Sequence, residues 1–419
     1  MSFQTGLSGL SAASQNLDVI GNNIANANTV GMKASRSEFS DLIESALGAS
    51  GTTHLAGIGV SQATISQNFN QGNVSLTGNT LDLAINGDGF YQVKKTDGTI
   101  AFSRDGQFKL DKDGNILNNA GSSLMGYKTD INGAQVDQTP VKLSVPTGAP
   151  IAAQKTGTIT AEFNLDASAP IATSTTSATQ YGTSFTTFDS QGVGTPMSLY
   201  FVKSAQDTWQ AYDNVPAAKN AVAAVAAGTA LPTPVSTLSF KTDGSLLSPA
   251  TPQAITLNTP NLLIGAPATP GKFTANLDVS KATQYGTAFA VTNLAQDGYT
   301  SGQYTGMTID NKGVISTRYS NGQTLKTGGM IALADFRNVQ GLSPAGGGEY
   351  MASYKSGEAL LGQPTVGNFG EVRSGAVEES NVDLTAELVN MMTAQRNYQA
   401  NAQTIKTQDQ IMSTLVSLR

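Results

Sequence analysis

Apolar residues recur every three or four positions at both ends of the chain, a spacing that predicts long amphipathic helices. One stripe runs through residues 3–27 and the other through residues 382–419. The residues that form the stripes are Phe3, Leu7, Leu10, Leu17, Ile20 and Ile24, followed near the other end by Leu384, Leu388, Met391, Tyr398, Ala402, Ile405, Met412 and Val416. Such stripes must be buried against another surface. We therefore expect them to pack against each other and against further copies of the chain.

The two predicted helices differ in intrinsic strength. Gly6, Gly9 and Gly21 each cost about 1 kcal/mol relative to alanine in a helix interior. We therefore expect the N-terminal segment to be unfolded or frayed alone and helical once packed. The C-terminal stripe contains neither glycine nor proline, and Ser380 followed by Asp383 resembles a capping box. Two polar residues of that stripe are Gln395 and Asp409. They either become exposed where the stripe drifts or fix the register of the helix against a neighbour. 

The pattern changes in the interior of the chain. Residues 35–47 read as one short helix and residues 48–59 as a loop. From about residue 76 the apolar positions alternate, as at Leu81, Leu83 and Ile85, and Asn-Gly and Asp-Gly pairs recur between the alternating runs. Such pairs supply the positive φ angles of tight hairpin turns. The interior is therefore predicted to be mostly antiparallel β-sheet.

These patterns predict a mainly β protein with α-helical termini and a nested domain order. The paired N- and C-terminal helices form an inner coiled-coil-like domain, and two antiparallel β-domains lie outside it. Pro-, Ala-, Ser- and Thr-rich stretches mark the seams. The predicted boundaries are an inner helical domain at 1–30 and 378–419, a connector at 31–75 and 362–377, a middle β-domain at 76–145 and 301–361, and an inserted outer β-domain at 146–300.

Composition narrows the possible functions. The chain has 419 residues, which is long for a single core, and only 13% of them are charged. A net charge of −6 makes nucleic acid or an anionic membrane surface an unexpected partner. Without cysteine the chain has no disulfide, thiolate metal site or cysteine nucleophile. Neither a basic signal-peptide start nor an apolar run of membrane-spanning length is present, so we expect no cleavable signal and no membrane insertion.

Signals for catalysis, metals or cofactors are weak. His54 is the single histidine, in a Gly-, Ser- and Thr-rich loop, so a Ser-His-Asp triad would depend on it alone. Residues 111–115 are partly like a calcium loop but lack its glycine and glutamate spacing, and a hairpin turn is the favoured interpretation. The pair Glu378-Glu379 reads as a favourable charge near a helix start. We predict no catalytic, cofactor-binding or metal-binding residues, and no enzyme.

One polar segment is the most specific stretch of the chain. It runs from Asn22 to Lys33 (NNIANANTVGMK), where Asn and Gly end the first helix. It resembles the signature of the bacterial flagellar rod and hook proteins, and its signature residues are Asn23, Asn26, Asn28, Thr29, Gly31 and Lys33. The resemblance continues at 77–90, 296–299, 319–322 and 333–336 and is strongest at 380–384 and 395–410. Length and this combination are similar to the hook members of that axial protein family, whereas 146–290 matches loosely.

The resemblance implies a structural subunit that polymerises into a hollow, flexible helical tube. In such proteins the tube is a universal joint that transmits torque from rod to filament. The implied partners are other copies of the chain, the distal rod, the hook cap, the hook–filament junction protein and the flagellar type III export apparatus. The implied location is the extracellular, cell-surface flagellum, where the hook is attached to the basal body.

Three alternatives stay open at this point. A distal rod or other axial protein would share the termini but would be expected to lack a large inserted β-domain. A secreted β-rich glycosidase would need a pair of carboxylates in a cleft, and no acidic residue stands out beside aromatic residues. A monomeric adhesin would have no need for apolar stripes at both ends.

Overall fold

A computed structural model describes residues 2–43, 57–148, 150–173, 178–258 and 272–417. The chain divides into two compact units. Unit 1 comprises Met1–Gly148, Thr305–Arg318 and Thr324–Arg419, and unit 2 comprises Ala149–Tyr304 and Tyr319–Gln323. The α-helices of the described ranges are α1 (Ser2–Ala25), α2 (Val215–Ala227) and α3 (Leu384–Ser417), and a 3-10 turn spans Val339–Gly341. Most of the remaining structure is β-sheet, as the alternation predicts.

The strands fall into three stretches of the chain. The strands before residue 149 are β1 (Ser35–Ile43), β2 (Gly57–Gln67), β3 (Val74–Leu76), β4 (Leu83–Asn86), β5 (Phe90–Lys94), β6 (Ile100–Ser103), β7 (Phe108–Leu110), β8 (Ile116–Asn118), β9 (Ser123–Tyr127) and β10 (Val141–Lys142). The next group is β11 (Thr158–Asp166), β12 (Gly182–Phe188), β13 (Gly194–Ala205), β14 (Thr208–Tyr212), β15 (Ser236–Phe240), β16 (Leu246–Ser248), β17 (Gln253–Asn258), β18 (Lys272–Asp278), β19 (Thr283–Tyr285) and β20 (Ala290–Gln296). The last group is β21 (Tyr304–Ile309), β22 (Ile315–Tyr319), β23 (Thr324–Leu325), β24 (Met330–Ile331), β25 (Leu333–Asp335), β26 (Ser343–Gly346), β27 (Glu349–Met351), β28 (Leu360–Gly362), β29 (Glu371–Ser374) and β30 (Ala376–Glu378).

Unit 1 is built around one large antiparallel sheet, with strands in the order β26-β27-β6-β5-β9-β8-β7. Aromatic residues from early and late strands meet on it, and Phe102 and Phe336 pack edge to face with ring centroids 4.8 Å apart. Two further pairings, β4 with β29 and β3 with β30, also join early strands to late ones. The core of unit 1 is therefore closed only when both halves of the chain are present.

Unit 2 has two sheets whose apolar faces share one core. The first has the order β17-β18-β11-β19, with β20 also paired to β11, and the second has the order β12-β13-β14-β15-β16. Phe163 and Phe201 stack across that core, and Trp209 is fully buried in it. Helix α2, which Asn214 caps, packs on Val202 and Tyr212. Pairing is antiparallel apart from two short parallel contacts of β11 with β18 and β19.

The polar turns close hairpins as the dipeptide pattern predicts. Between β7 and β8 the Asp111 carboxylate accepts hydrogen bonds from the backbone N–H groups of Asp113 at 2.9 Å and Asn115 at 2.7 Å. The Asn115 side-chain hydrogen bond is the main reason that the pKa of Asp111 lies below its usual value. Here the aspartate holds its own turn, which supports the hairpin interpretation over a calcium loop.

Three local predictions were wrong. Residues 35–43 form strand β1, not the start of a helix, and β1 pairs antiparallel with β2 from Ser35 opposite Gln67; residues 44–56 lie outside the described residues. The cap of α3 is Asp383, which accepts from the N–H groups of Thr385 and Ala386, so Ser380 is not the capping residue. Glu378 ends strand β30 and is buried, so it does not begin a helix.

Candidate functional site

The terminal helices α1 and α3 pack against each other within one chain. Two of the glycines in α1 lie at this contact. A Cβ added at Gly6 would be 3.2 Å from Ile405 Cγ1, and one added at Gly9 would be 2.9 Å from Asn401 Oδ1. A Cβ at Gly21 would meet nothing within 4 Å. The first two glycines, which weaken an isolated helix, therefore let the helix backbones approach closely.

The predicted stripe residues are buried to different degrees. In α1, Ile20 is buried, Leu10, Leu17 and Ile24 are half-buried, and Phe3 and Leu7 are exposed. In α3, Met391, Ala402 and Ile405 are half-buried, whereas Leu384, Leu388, Tyr398 and Met412 are exposed. The Val416 side chain lies outside the described residues. The helix pair thus covers part of each stripe and leaves a large apolar part uncovered.

Some exposed apolar residues of α3 lie outside the predicted stripe. Val389, Met392 and Ile411 belong to this set. Their signal in the sequence was a set of apolar residues in the helix too large for one narrow seam, because residue 389 points about 140° away from 384 and about 100° away from 388 around the helix axis. Helix α3 therefore presents apolar side chains in more than one direction.

The signature segment forms a tight exit from α1. Asn23 is buried, and its side chain donates to Ser35 O at 2.7 Å and accepts from Ser35 N at 2.9 Å. Asn26 donates to Asn22 O, and Thr29 lies within 3.4 Å of the Asn26 side-chain oxygen. Asn28, by contrast, is exposed and takes part in none of these hydrogen bonds. These bonds turn the chain back so that β1 starts beside the end of α1.

Gly31 is required by both conformation and space. Its φ angle is +71°, and an added Cβ would lie 2.6 Å from the backbone carbon of Arg104. Its N–H donates to Glu378 O at 2.8 Å. The signature glycine therefore brings the chain after α1 against both Arg104 and Glu378.

A buried ion cluster lies next to this glycine. Lys33 Nζ donates to Glu378 Oε1 at 2.6 Å and to Asn70 O at 2.8 Å. Arg104 Nη1 contacts Glu378 Oε2 at 3.1 Å, and the Gly72 N–H donates to Oε1 at 2.9 Å. The three charged side chains are almost completely buried. One carboxylate therefore ties four segments of unit 1 together.

The surroundings of the cluster are largely apolar and aromatic. Arg104 lies over the Phe90 ring, 5.2 Å from its centroid, and donates to Gly87 O. Burial lowers the pKa of Lys33, although the hydrogen bond to Glu378 opposes that shift. Burial also raises the pKa of the Tyr91 hydroxyl well above its usual value. A burial cost of this kind is sustained only where each charge has close partners.

Beside the ion cluster, a set of hydrogen bonds from Asn381 fixes the segment that leads into α3. Asn381 accepts from the Ala34 N–H at 2.8 Å, and its amide donates to Asn68 O at 2.7 Å and Asn70 O at 2.9 Å. The Asn381 side chain therefore joins the segment that enters α3 to the segment that leaves α1 and to the segment that follows β2. Sequence reasoning identified Gly31 and Lys33 but missed Arg104, Glu378 and Asn381, whose partners are distant in the sequence.

The described residues show neither a metal-ligand cluster nor a membrane-spanning helix. It contains no group of three or more His, Cys, Asp or Glu side chains arranged to hold a metal ion. The single histidine, His54, lies outside the described residues. Among the described helices, none combines the length and apolarity that crossing a bilayer requires. The site consists of a buried ion cluster and the Asn381 hydrogen bonds, which fix the ends of a helix pair with exposed apolar faces. We call the ion cluster and these hydrogen bonds the anchor.

Comparison with known proteins identifies the family. The flagellar hook protein FlgE of Escherichia coli K12 is 40% identical over 428 residues, covering all of both chains. The chain belongs to the flagellar hook protein family. The hook protein of Salmonella typhimurium LT2 is 39% identical over the full length of both chains. That of Borreliella burgdorferi is 31% identical over 461 residues, covering 100% of this chain and 99% of the relative.

Family models assign the segments of this hook-family chain. They are the flagella basal body rod protein at residues 3–33, the flagellar hook protein FlgE/F/G D1 domain at 84–161, the flagellar basal body protein FlaE D2 domain at 158–299, and the flagellar basal body rod FlgEFG protein C-terminal at 373–418. The crystal structure of Helicobacter pylori flagellar hook protein FlgE2 has a TM-score of 0.52 at 14% identity and covers 73% of this chain and 100% of that one. That similarity supports the fold.

Proposed function

We propose that this chain is the structural subunit of a bacterial flagellar hook and polymerises into a hollow, flexible helical tube. The tube acts as a universal joint that carries torque from rod to filament in the extracellular flagellum. Membership of the hook family, with full-length similarity to several hook proteins, supports this over a distal rod, a glycosidase or an adhesin. In this role the chain has no catalytic function, cofactor or metal.

The uncovered apolar surface of α3 is the observation that carries the proposal. Leu388 is 46% exposed and Val389 is 51% exposed in the single chain, and successive residues of an α-helix point about 100° apart around its axis. Burial contributes about 25 cal/mol per Å² of apolar area, so each 100 Å² covered by a neighbour contributes about 2.5 kcal/mol. Faces that point several ways favour contacts with more than one neighbouring copy, as a helical tube requires.

The remaining partners follow from the family role. We propose that the chain passes through the flagellar type III export apparatus without a cleavable signal peptide. It then assembles beneath a hook cap, onto the distal rod, and ends at the hook–filament junction protein. An absence of disulfide bonds suits passage of an unfolded chain, because no cross-link has to be broken first.

Polymerisation of a paired set of variants tests the proposal. Leu388→Ser with Met392→Ser removes exposed apolar surface from α3, and Leu247→Ser removes a leucine that is 55% exposed on unit 2. We expect the purified wild type and the Leu247 variant to form sedimenting tubes visible by electron microscopy, and the α3 variant to remain monomeric. Tubes of normal yield from the α3 variant, or no polymer from the wild type under any condition, would contradict the proposal.

A further inference from the structure

An acidic side chain of α3 lies at a large cavity without a partner. Glu387 lines a cavity of about 840 Å³ formed by α1, the β1–β2 hairpin and α3. Its Oε2 is buried and has no hydrogen-bond partner among the described residues. A buried carboxylate oxygen without a donor is unfavourable, so this site is incomplete in the single chain.

The basic residue in the cavity wall, Arg36, is already engaged. Arg36 also lines the cavity, but its guanidinium pairs with Glu38 at 2.9 Å and is largely exposed. The other wall residues include amides, such as Asn390 and Asn397, and apolar side chains such as Ile65. The cavity therefore has room and polar groups for an entering cation that would satisfy Glu387.

A matching cation lies on the opposite face of the same helix. Arg396 is exposed and has no hydrogen bond or ion pair within the described ranges. Nine residues separate it from Glu387, which in an α-helix corresponds to about two and a half turns and about 13.5 Å along the axis. The two side chains therefore point in opposite directions and cannot pair within one chain.

The surroundings of Arg396 complement those of Glu387. Val389 and Met392 precede Arg396 at helical spacing and are exposed on its face. The cavity wall includes Val19, Ile20 and Ile65 beside the unpaired carboxylate. One face of α3 thus offers a cation with apolar flanks, and the other side offers an anion with apolar flanks.

We propose that Arg396 of one copy enters the cavity of the next copy and pairs with Glu387. The inference rests on the proposed polymeric function and specifies one contact within it. Arginine suits the site because its planar guanidinium donates two parallel hydrogen bonds to a carboxylate. Because the two residues lie on opposite faces, each copy donates once and accepts once, which produces an open, head-to-tail series of copies.

A charge-reversal mixture tests this contact. Glu387→Arg leaves two cations facing each other between copies, and Arg396→Glu leaves two anions. Each variant alone should need at least about a tenfold higher protein concentration to polymerise than the wild type. An equimolar mixture should polymerise near the wild-type concentration, because every contact in an alternating polymer again joins opposite charges. Sedimentation and electron microscopy of the full chain measure both.

Two controls separate this pair from folding and from net charge. Far-UV circular dichroism and elution volume should show that both variants fold like the wild type. Lys241→Glu, which makes the same charge change at an exposed position of unit 2, should polymerise like the wild type. If the wild type forms tubes and Arg396→Glu does so equally, or if the mixture stays monomeric, the ion pair is wrong although the proposed function stands. If the wild type never polymerises, both are wrong.

Discussion

At the scale of single residues, the Glu378 carboxylate determines how the ends of the chain are joined to the β core. It meets Lys33, Arg104 and the Gly72 N–H, and it is fully buried. Two cations around one anion leave a local excess of positive charge in an apolar setting. The cluster is therefore sensitive to any loss of negative charge, whereas exposed ion pairs elsewhere contribute little.

Glu378→Gln should destabilise unit 1 strongly. The substitution keeps the shape of the side chain but leaves Lys33 and Arg104 buried without a counter-charge, which costs about 3–5 kcal/mol. Urea unfolding of the unpolymerised chain, followed at unit 1 aromatic residues, measures the change. Glu358→Gln, at an exposed glutamate, is the matched control and should change stability by less than about 0.5 kcal/mol. Equal stability of the two variants would rule out a structural role for the cluster.

Asp105 should make the stability of the folded chain depend on pH, with a sign that follows from its pKa. Burial, then the charges of Asp82 and Glu349, raises the pKa of this carboxyl above its usual 3.8. A raised folded-state pKa favours folding below the unfolded value, and that contribution is lost as the pH rises through the folded value. Asp105→Asn keeps an acceptor for the Gln107 N–H and removes the buried charge.

The melting temperature of Asp105→Asn should therefore exceed that of the wild type at pH 7, and the difference should disappear at about pH 3.5. Asp97→Asn is the control, because hydrogen bonds from Thr99 lower the pKa of Asp97, and its loss should give no gain at pH 7. A constant difference at both pH values would show that Asp105 acts through something other than its charge.

At the scale of elements, the helices follow from local pattern and the first hairpin does not. A period of three to four residues requires no knowledge of distant chain, so both terminal helices could be predicted. Residues 35–43 are mixed in pattern, and they become a strand because β2 lies opposite them. The anchor could not be predicted from local pattern for the same reason, because Lys33 and Glu378 are separated by 345 positions.

The glycines of α1 should respond in opposite ways to substitution. Gly21→Ala meets no neighbour and should stabilise α1 by up to about 1 kcal/mol through helix propensity. Gly9→Leu would place a branched side chain against Asn401 and push α1 away from α3. Amide hydrogen exchange across residues 6–20 should slow in the first variant and accelerate in the second. Similar protection in both variants would contradict the close packing inferred at Gly9.

At the scale of the whole molecule, the sequence predicts an inserted outer β-domain at 146–300, and the structure has a compact unit 2 formed by Ala149–Tyr304 and Tyr319–Gln323. Its strand order could not be predicted, because β11 pairs with strands from more than 100 residues later in the chain. The chain enters and leaves this unit through adjacent segments, since the Ile151 N–H donates to Gly302 O at 2.8 Å. Removing the unit therefore leaves two ends that a short linker can join.

Replacing residues 150–303 by a short Gly/Ser linker should leave tube assembly intact and reduce the flexibility of the tube. The terminal helices and their anchor lie in unit 1, so the shortened chain should still form tubes. Strand β20 of unit 2 is exposed along most of its length and carries no charged residue. We expect such a surface to form weak, water-mediated contacts between neighbouring copies, which can be exchanged at low cost as a tube bends. Without them the tube should be straighter and stiffer, as curvature measured in electron micrographs against parallel wild-type tubes would record. Unchanged curvature would assign bending to unit 1, because the helices and β core would then be the only protein left to deform.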